Sequence, residues 1–119
     1  MLPLVDTNIV LRYLLDDDAV QSPQAREAVD AGCEVTVEVL FEVVYVLYGH
    51  YGVPRAKVSD ALIELLEEVN CARADVARRA LELYAERSLD FVDCILIAEH
   101  EISNRDIISF DKKVMRLTR

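Results

Sequence analysis

Met1-Leu2-Pro3-Leu4-Val5-Asp6-Thr7-Asn8 opens the chain, and how that stretch is read decides the fold. A short apolar run that ends in an acid, a hydroxyl and an amide reads as a buried strand leaving its sheet at Asp6. Ile9, Val10, Tyr13 and Leu14 then follow helical spacing until the acidic run 16–18, which reads as a solvated loop. The same alternation continues outward. Ser22-Pro23 supplies a cap and a proline at the first helical position, which predicts a helix over 23–31 that Gly32 ends. Residues 34–37 read as a second strand and 38–50 as a third helix. Pro54 opens a fourth helix with the apolar stripe Val58, Ala61, Leu62, Leu65 and Val69, and 69–71 reads as a short edge strand. Helices are expected over 75–87 and from Asp90 to about Glu101, followed by a buried strand at 107–110 and a short basic tail at 112–119. Strands alternating with helices predict an α/β domain, three-layer α/β/α, around a central parallel sheet of four to five short strands. No linker or repeat divides residues 1–119, so one domain is expected.

The 119 residues are 53 % hydrophobic and 29 % charged, the composition of a chain that buries a core and not of a disordered segment. No apolar run approaches the ~20 residues needed to cross a bilayer. The opening residues lack a basic stretch before an apolar one, so a cytoplasmic setting is expected. Three widely spaced cysteines, Cys33, Cys71 and Cys94, show no metal-ligand pairing and read as buried reduced thiols. The net charge of −9 argues at first against nucleic acid. Its distribution weakens that objection, because Arg105, Lys112, Lys113, Arg116 and Arg119 gather near one end against only Asp106 and Asp111. If several of the remaining carboxylates hold metal, bound cations cancel part of the excess.

In a parallel sheet, ligands gather beyond the carboxyl ends of the strands. Asp6 and Asp111 both end predicted strands, although each would serve equally well as the cap of the helix that follows. Glu42 is a sharper signal. Its helix, Val39-Leu40-Phe41-Glu42-Val43-Val44-Tyr45-Val46-Leu47, is apolar on every side and so is expected to be buried, where an unpaired carboxylate costs several kcal/mol. Glu42 therefore calls for a cation, either a metal or a side chain such as Arg12. Glu38, near the same helix's start, is accounted for by the helix dipole. Asp90 reads as an N-cap and as an additional ligand candidate. Asp93, one turn into the apolar run Cys94-Ile95-Leu96-Ile97-Ala98, is the better ligand. His50 and His100 have no ligand spacing and read as surface residues, while Tyr45, Tyr48 and Tyr51 read as core or interface.

Four stretches together resemble a known family. Asp6-Thr7-Asn8 after an apolar strand resembles the first motif of PIN domains, particularly VapC-type toxins. Glu42 is similar to their second acid, and Leu89-Asp90-Phe91-Val92-Asp93-Cys94-Ile95-Leu96-Ile97-Ala98 to their third motif. Ser109-Phe110-Asp111-Lys112-Lys113 resembles the closing motif, with serine in place of the usual threonine. The resemblance implies a metal-dependent endoribonuclease that leaves a 5′-phosphate and a 3′-hydroxyl. Asp6, Glu42, Asp93 and Asp111 would be its catalytic, metal-binding acids, and Thr7, Asn8 and Ser109 would be hydrogen-bonding or phosphate-contacting groups. A carboxylate set without histidine or thiolate suits a hard ion, Mg²⁺ or Mn²⁺. The resemblance further implies an RNA substrate, a small antitoxin protein as partner, and a homodimer. Two alternatives stay open. One is a non-catalytic PIN-like module that binds protein. The other is a Mg-binding receiver domain, which is disfavoured by the lone acid after the first strand and by the placement of Glu42 in a helix.

Overall fold

Asp6, Thr36, Asp90 and Asp111 each stand at the end of an extended stretch and at the start of a helix, and that repeated junction organises the molecule. The computed structural model describes all residues 1–119. Helix α1 is Thr7–Leu15, α2 Gln21–Ala31, α3 Val37–Tyr45, α4 Arg55–Glu68, α5 Ala74–Glu86, α6 Phe91–Ser103 and α7 Lys112–Leu117; α3 runs on into a π-helical turn, Val46–His50. None of these helices is long and apolar enough to cross a membrane.

The central sheet expected from the sequence does not form. The extended stretches meet only at isolated parallel bridges, Leu4 with Glu34 and Glu34 with Asn70. Four backbone bonds carry this pairing: Val5 N to Glu34 O, Glu34 N to Pro3 O, Val35 N to Asn70 O and Asn70 N to Cys33 O, at 2.8–3.2 Å. Local chemistry keeps the ladder short. Pro3 has no N–H to donate, Gly32 turns the chain at φ +96°, and Thr36 already caps α3 by accepting from Val39 N. The strand expected at 107–110 pairs with nothing, and Ile108 and Phe110 are 99 % and 108 % exposed rather than buried. The whole chain measures 47 × 34 × 18 Å. Eighteen ångströms is too thin for three layers, which need two spacings of ~10 Å before the outer helices are counted.

The core lies between helices instead. Leu40, Val43, Leu62, Leu65, Leu81, Leu83 and Ile97 are at most 2 % exposed. Helix α5 packs against α4 on one side and α6 on the other, and α3 packs on α1 and α6. Arg79 to Glu101 at 2.6 Å adds an ion pair between α5 and α6, and Arg73, just ahead of α5, pairs with Glu99 of α6 at 3.0 Å. Being partly exposed, such pairs contribute ~0–1 kcal/mol each.

Three local expectations are also corrected. Helix α2 starts earlier than 23: Asp18 Oδ1 accepts from Val20 N and Gln21 N, while Ser22 is 1 % exposed and donates to Arg12 O. The 112–119 tail is mostly the helix α7, whose Val114 is fully buried. Glu42 is exposed, together with its helix neighbours Phe41 and Tyr45. Only the face bearing Leu40, Val43, Val44 and Leu47 enters the core, so an all-apolar sequence here does not mean an all-buried helix.

Candidate active site

Two of the helix-start acids keep their carboxylates for the helix. Asp6 Oδ1 accepts from Ile9 N at 3.0 Å, and Asp111 Oδ1 accepts from Lys113 N and Val114 N at 2.8 and 3.1 Å. Asp90 occupies the same N-cap position of α6, yet its side chain makes no cap bond. Asp93, in the first turn of α6, is half-buried and likewise has no protein donor. Both free carboxylates line a cavity of about 350 Å³ with Ser88, Leu89, Asp111, Lys112 and Lys113. Burial, then repulsion from Asp111 and Asp90, pushes the Asp93 carboxyl above its ordinary range. Asp90, Asp93 and Asp111 thus face one another electrostatically, with two lysines at the rim.

Arg55 fixes this arrangement from behind. Its guanidinium donates to Tyr84 O at 2.8 Å, Arg87 O at 2.9 Å and Leu89 O, and lies 3.7 Å over the Tyr84 ring. One side chain thereby ties the start of α4 to the loop that delivers Asp90. A cation in a helix's first turn is disfavoured by the dipole, so the sequence did carry a signal that Arg55 is held by something else. Lys112 and Lys113, read as tail charge and as the end of the closing motif, were given no place at the site.

The structure does not bring Asp6 or Glu42 to this cavity's wall. Arg12, the alternative partner for Glu42, pairs with Asp17 at 2.6 Å and with the Tyr51 hydroxyl. Ser109 Oγ accepts from Asp111 N, Asn8 donates to Gln21 Oε1 at 3.4 Å, and Thr7 makes no side-chain hydrogen bond. His100 Nδ1 sits 2.9 Å from Arg105 O, away from any ligand cluster. Cys33 and Cys94 are buried thiols, and burial pushes Cys94 up to about 11; Cys71 is half-buried.

The family model for the PIN domain matches residues 4–119. The chain is a PIN domain. PIN domains are nuclease-type domains, generally dependent on divalent metal ions, which places this one among the hydrolases. No match was found among curated proteins or among solved structures. The donor set of this PIN domain suits such an ion, since Asp90 and Asp93 offer unengaged carboxylate oxygens beside Asp111. As the side chains stand, no three of them converge closely enough to hold one ion.

Proposed function

We propose that this PIN domain is an endoribonuclease dependent on Mg²⁺ or Mn²⁺, and the VapC-type toxin of a toxin–antitoxin pair acting in the cytoplasm. The observation that carries this reading is the pair of unbonded carboxylates, Asp90 and Asp93, facing Asp111 across a cavity rimmed by Lys112 and Lys113. Left alone, that arrangement costs free energy, because acids crowd one another without a cation between them. Asp93, Asp90 and Asp111 would hold the ion, with Asp6 and Glu42 completing the set and Asp6 and Asp111 exchanging part of their cap bonding for it. Bound there, such an ion supplies a nucleophile at neutral pH and charge for the leaving oxygen. Lys112 and Lys113 draw the phosphodiester toward the acids, and Ser109 sits two residues before the capping carboxylate as a phosphate contact. Thr7 and Asn8 flank Asp6 in the same role.

The purified chain, given labelled single-stranded RNA with Mn²⁺, should cut it, and EDTA should stop the reaction. Asp93→Asn should lower the rate by at least ~100-fold, as expected when metal-assisted chemistry loses a ligand. Undiminished cutting by that variant would sink the site, and a parent inactive with every divalent ion would sink the activity.

A second reading, a non-catalytic PIN module that binds protein, is favoured by the lack of three converged acids. Calorimetric titration with Mn²⁺ separates the two, since the nuclease should bind it and the module should not. The partners in the nuclease reading are RNA, a small antitoxin that lays a segment over the acidic cavity, and a second copy of the chain. Light scattering that shows a monomer at tens of micromolar would remove the homodimer.

A further inference from the structure

Beside the carboxylates runs a larger groove of about 620 Å³ lined by Phe41, Tyr45, Tyr48, Tyr84, Val92 and Arg55, with Asp90 and Asp93 at one end. Its aromatic wall is open: Tyr45 is 71 % exposed, Tyr48 50 % and Phe41 41 %. Spacings of four and three residues string these exposed rings along α3 and its π-helical continuation. Arg55, held by three carbonyls, stands 5.9 Å from the centre of the Tyr48 ring, and Tyr48 meets Tyr84 edge-on at 6.4 Å. The aromatic wall is therefore backed by a fixed support.

On the other side, the acidic cavity shares Ser88, Leu89 and Lys113 with a third cavity, of about 410 Å³, that adds Arg87 and Arg116. The aromatic groove and this basic cavity have no wall residue in common, whereas each shares residues with the acidic one. The acids thus lie between an aromatic surface and a basic surface on one continuous path.

We propose that the Phe41–Tyr45–Tyr48 groove is a base-stacking subsite for single-stranded RNA, with the backbone beyond the acids running along Lys112, Lys113 and Arg116. This rests on the nuclease reading above and adds to it where the bases of the strand sit: on the aromatic wall, to one side of the cut. Flat π faces accept any base, so the groove grips the strand without selecting sequence. A purely apolar protein segment, with no cationic side chain of its own, fits the same groove less well, because it offers nothing to the Asp90 and Asp93 carboxylates among the groove's lining. An RNA strand instead brings a phosphate to the acids, where Lys112 and Lys113 would pair with it beside any ion that Asp90, Asp93 and Asp111 hold.

Binding of a short 5′-labelled oligouridine, with Ca²⁺ replacing Mn²⁺ to prevent cutting, tests this by fluorescence anisotropy. Tyr45→Ala and Tyr48→Ala should each weaken binding about 10-fold, as expected for loss of one stacked base, while Tyr45→Phe stays near the parent. An oligomer with abasic sites should bind weakly and lose its sensitivity to both alanine substitutions, since the two changes remove one contact. Thermal melts confirm that these exposed positions leave the fold intact. Parental affinity in both alanine variants overturns the subsite, as does a parent that binds no single-stranded RNA. Equal loss on the abasic strand overturns it too, because the contact is then not with a base. If RNA affinity is unchanged but the alanine variants no longer self-associate in light scattering, the groove is a protein interface instead. Cutting with Mn²⁺ is read separately. Tyrosine-dependent binding without cutting refutes the nuclease and keeps the subsite, and cutting with tyrosine-independent binding does the reverse.

Discussion

The starts of α1 and α6 carry the same residue in the same place and use it differently. Asp6 caps α1 through Ile9 N, whereas Asp90 stands at the N-cap of α6 with an extended backbone and leaves its carboxylate unbonded. Position alone does not make a cap. Ahead of Asp6 the chain is tied by the backbone bond from Val5 N to Glu34 O. Ahead of Asp90 it is held by Arg55, which grips Leu89 O and Arg87 O. The second arrangement forgoes a cap bond and keeps two carboxylates, Asp90 and Asp93, directed at one cavity. Natural sites commonly break a local rule where function needs it, and the start of α6 is where this chain breaks one.

The largest effect should come from removing the support. Arg55→Ala deletes three hydrogen bonds from a charged donor and a stacking contact with Tyr84, and should destabilise the fold by ~2–4 kcal/mol. In a chain of this length that is a fall in Tm of roughly 10 °C. Arg55→Lys keeps the charge but not the fork and should recover less than half of it. A change in Tm within a degree or two would show that the loop before α6 holds itself, and the contrast between the two helix starts would lose its cause.

Much of this site was legible beforehand, for definite reasons. Asp6 and Asp90 stand next to apolar runs, and capping chemistry is local, so their places at helix starts followed from neighbours within a few residues, whereas the helix after Asp111 was expected only as a basic tail. The pairing of Asp93 with Asp90 followed from a spacing of three on a helix. What failed was non-local. Three apolar residues around Ser109 at 107–110 say that a segment is able to be a strand, but not that another strand is there to pair with it, and Ile108 and Phe110 lie in the open. Glu42 failed differently. Counting apolar neighbours around α3 showed a helix that could be buried, but only contact with α1 and α6 settles which face is, and Glu42 is on the other one. Arg55 was missed because its partners are backbone carbonyls 29 to 34 residues away, which no side-chain pattern reveals.

A smaller effect sharpens the comparison directly. Asp6→Ala removes a cap bond and should cost ~1 kcal/mol, whereas Asp90→Ala removes none and should leave metal-free stability nearly unchanged. Urea denaturation of the two variants in EDTA measures the difference. Equal losses would mean that the Asp90 carboxylate caps α6 in solution after all, and the cavity would then lose one of its two free acids.

The smallest effect has the opposite sign. Burial, then repulsion from Asp111 and Asp90, raises the Asp93 carboxyl above its unfolded value, so folding favours its protonated form. The stability this contributes is fully present below the ordinary carboxylate range and is lost as pH rises through the higher folded value. Above that value, without metal, Asp93 carries its charge at a cost to the fold. Asp93→Asn should raise Tm there, by less than Asp6→Ala lowers it, and the gain should shrink as pH falls into the carboxylate range. A divalent ion reverses the comparison: Mn²⁺ binding the folded state should raise the parent's Tm and leave the Asn variant behind. If Asp93→Asn instead lowers Tm at pH 7 in EDTA, the Asp93 carboxylate is contributing a stabilising contact of its own. The crowded acids would then be a structural network rather than a site waiting for a cation.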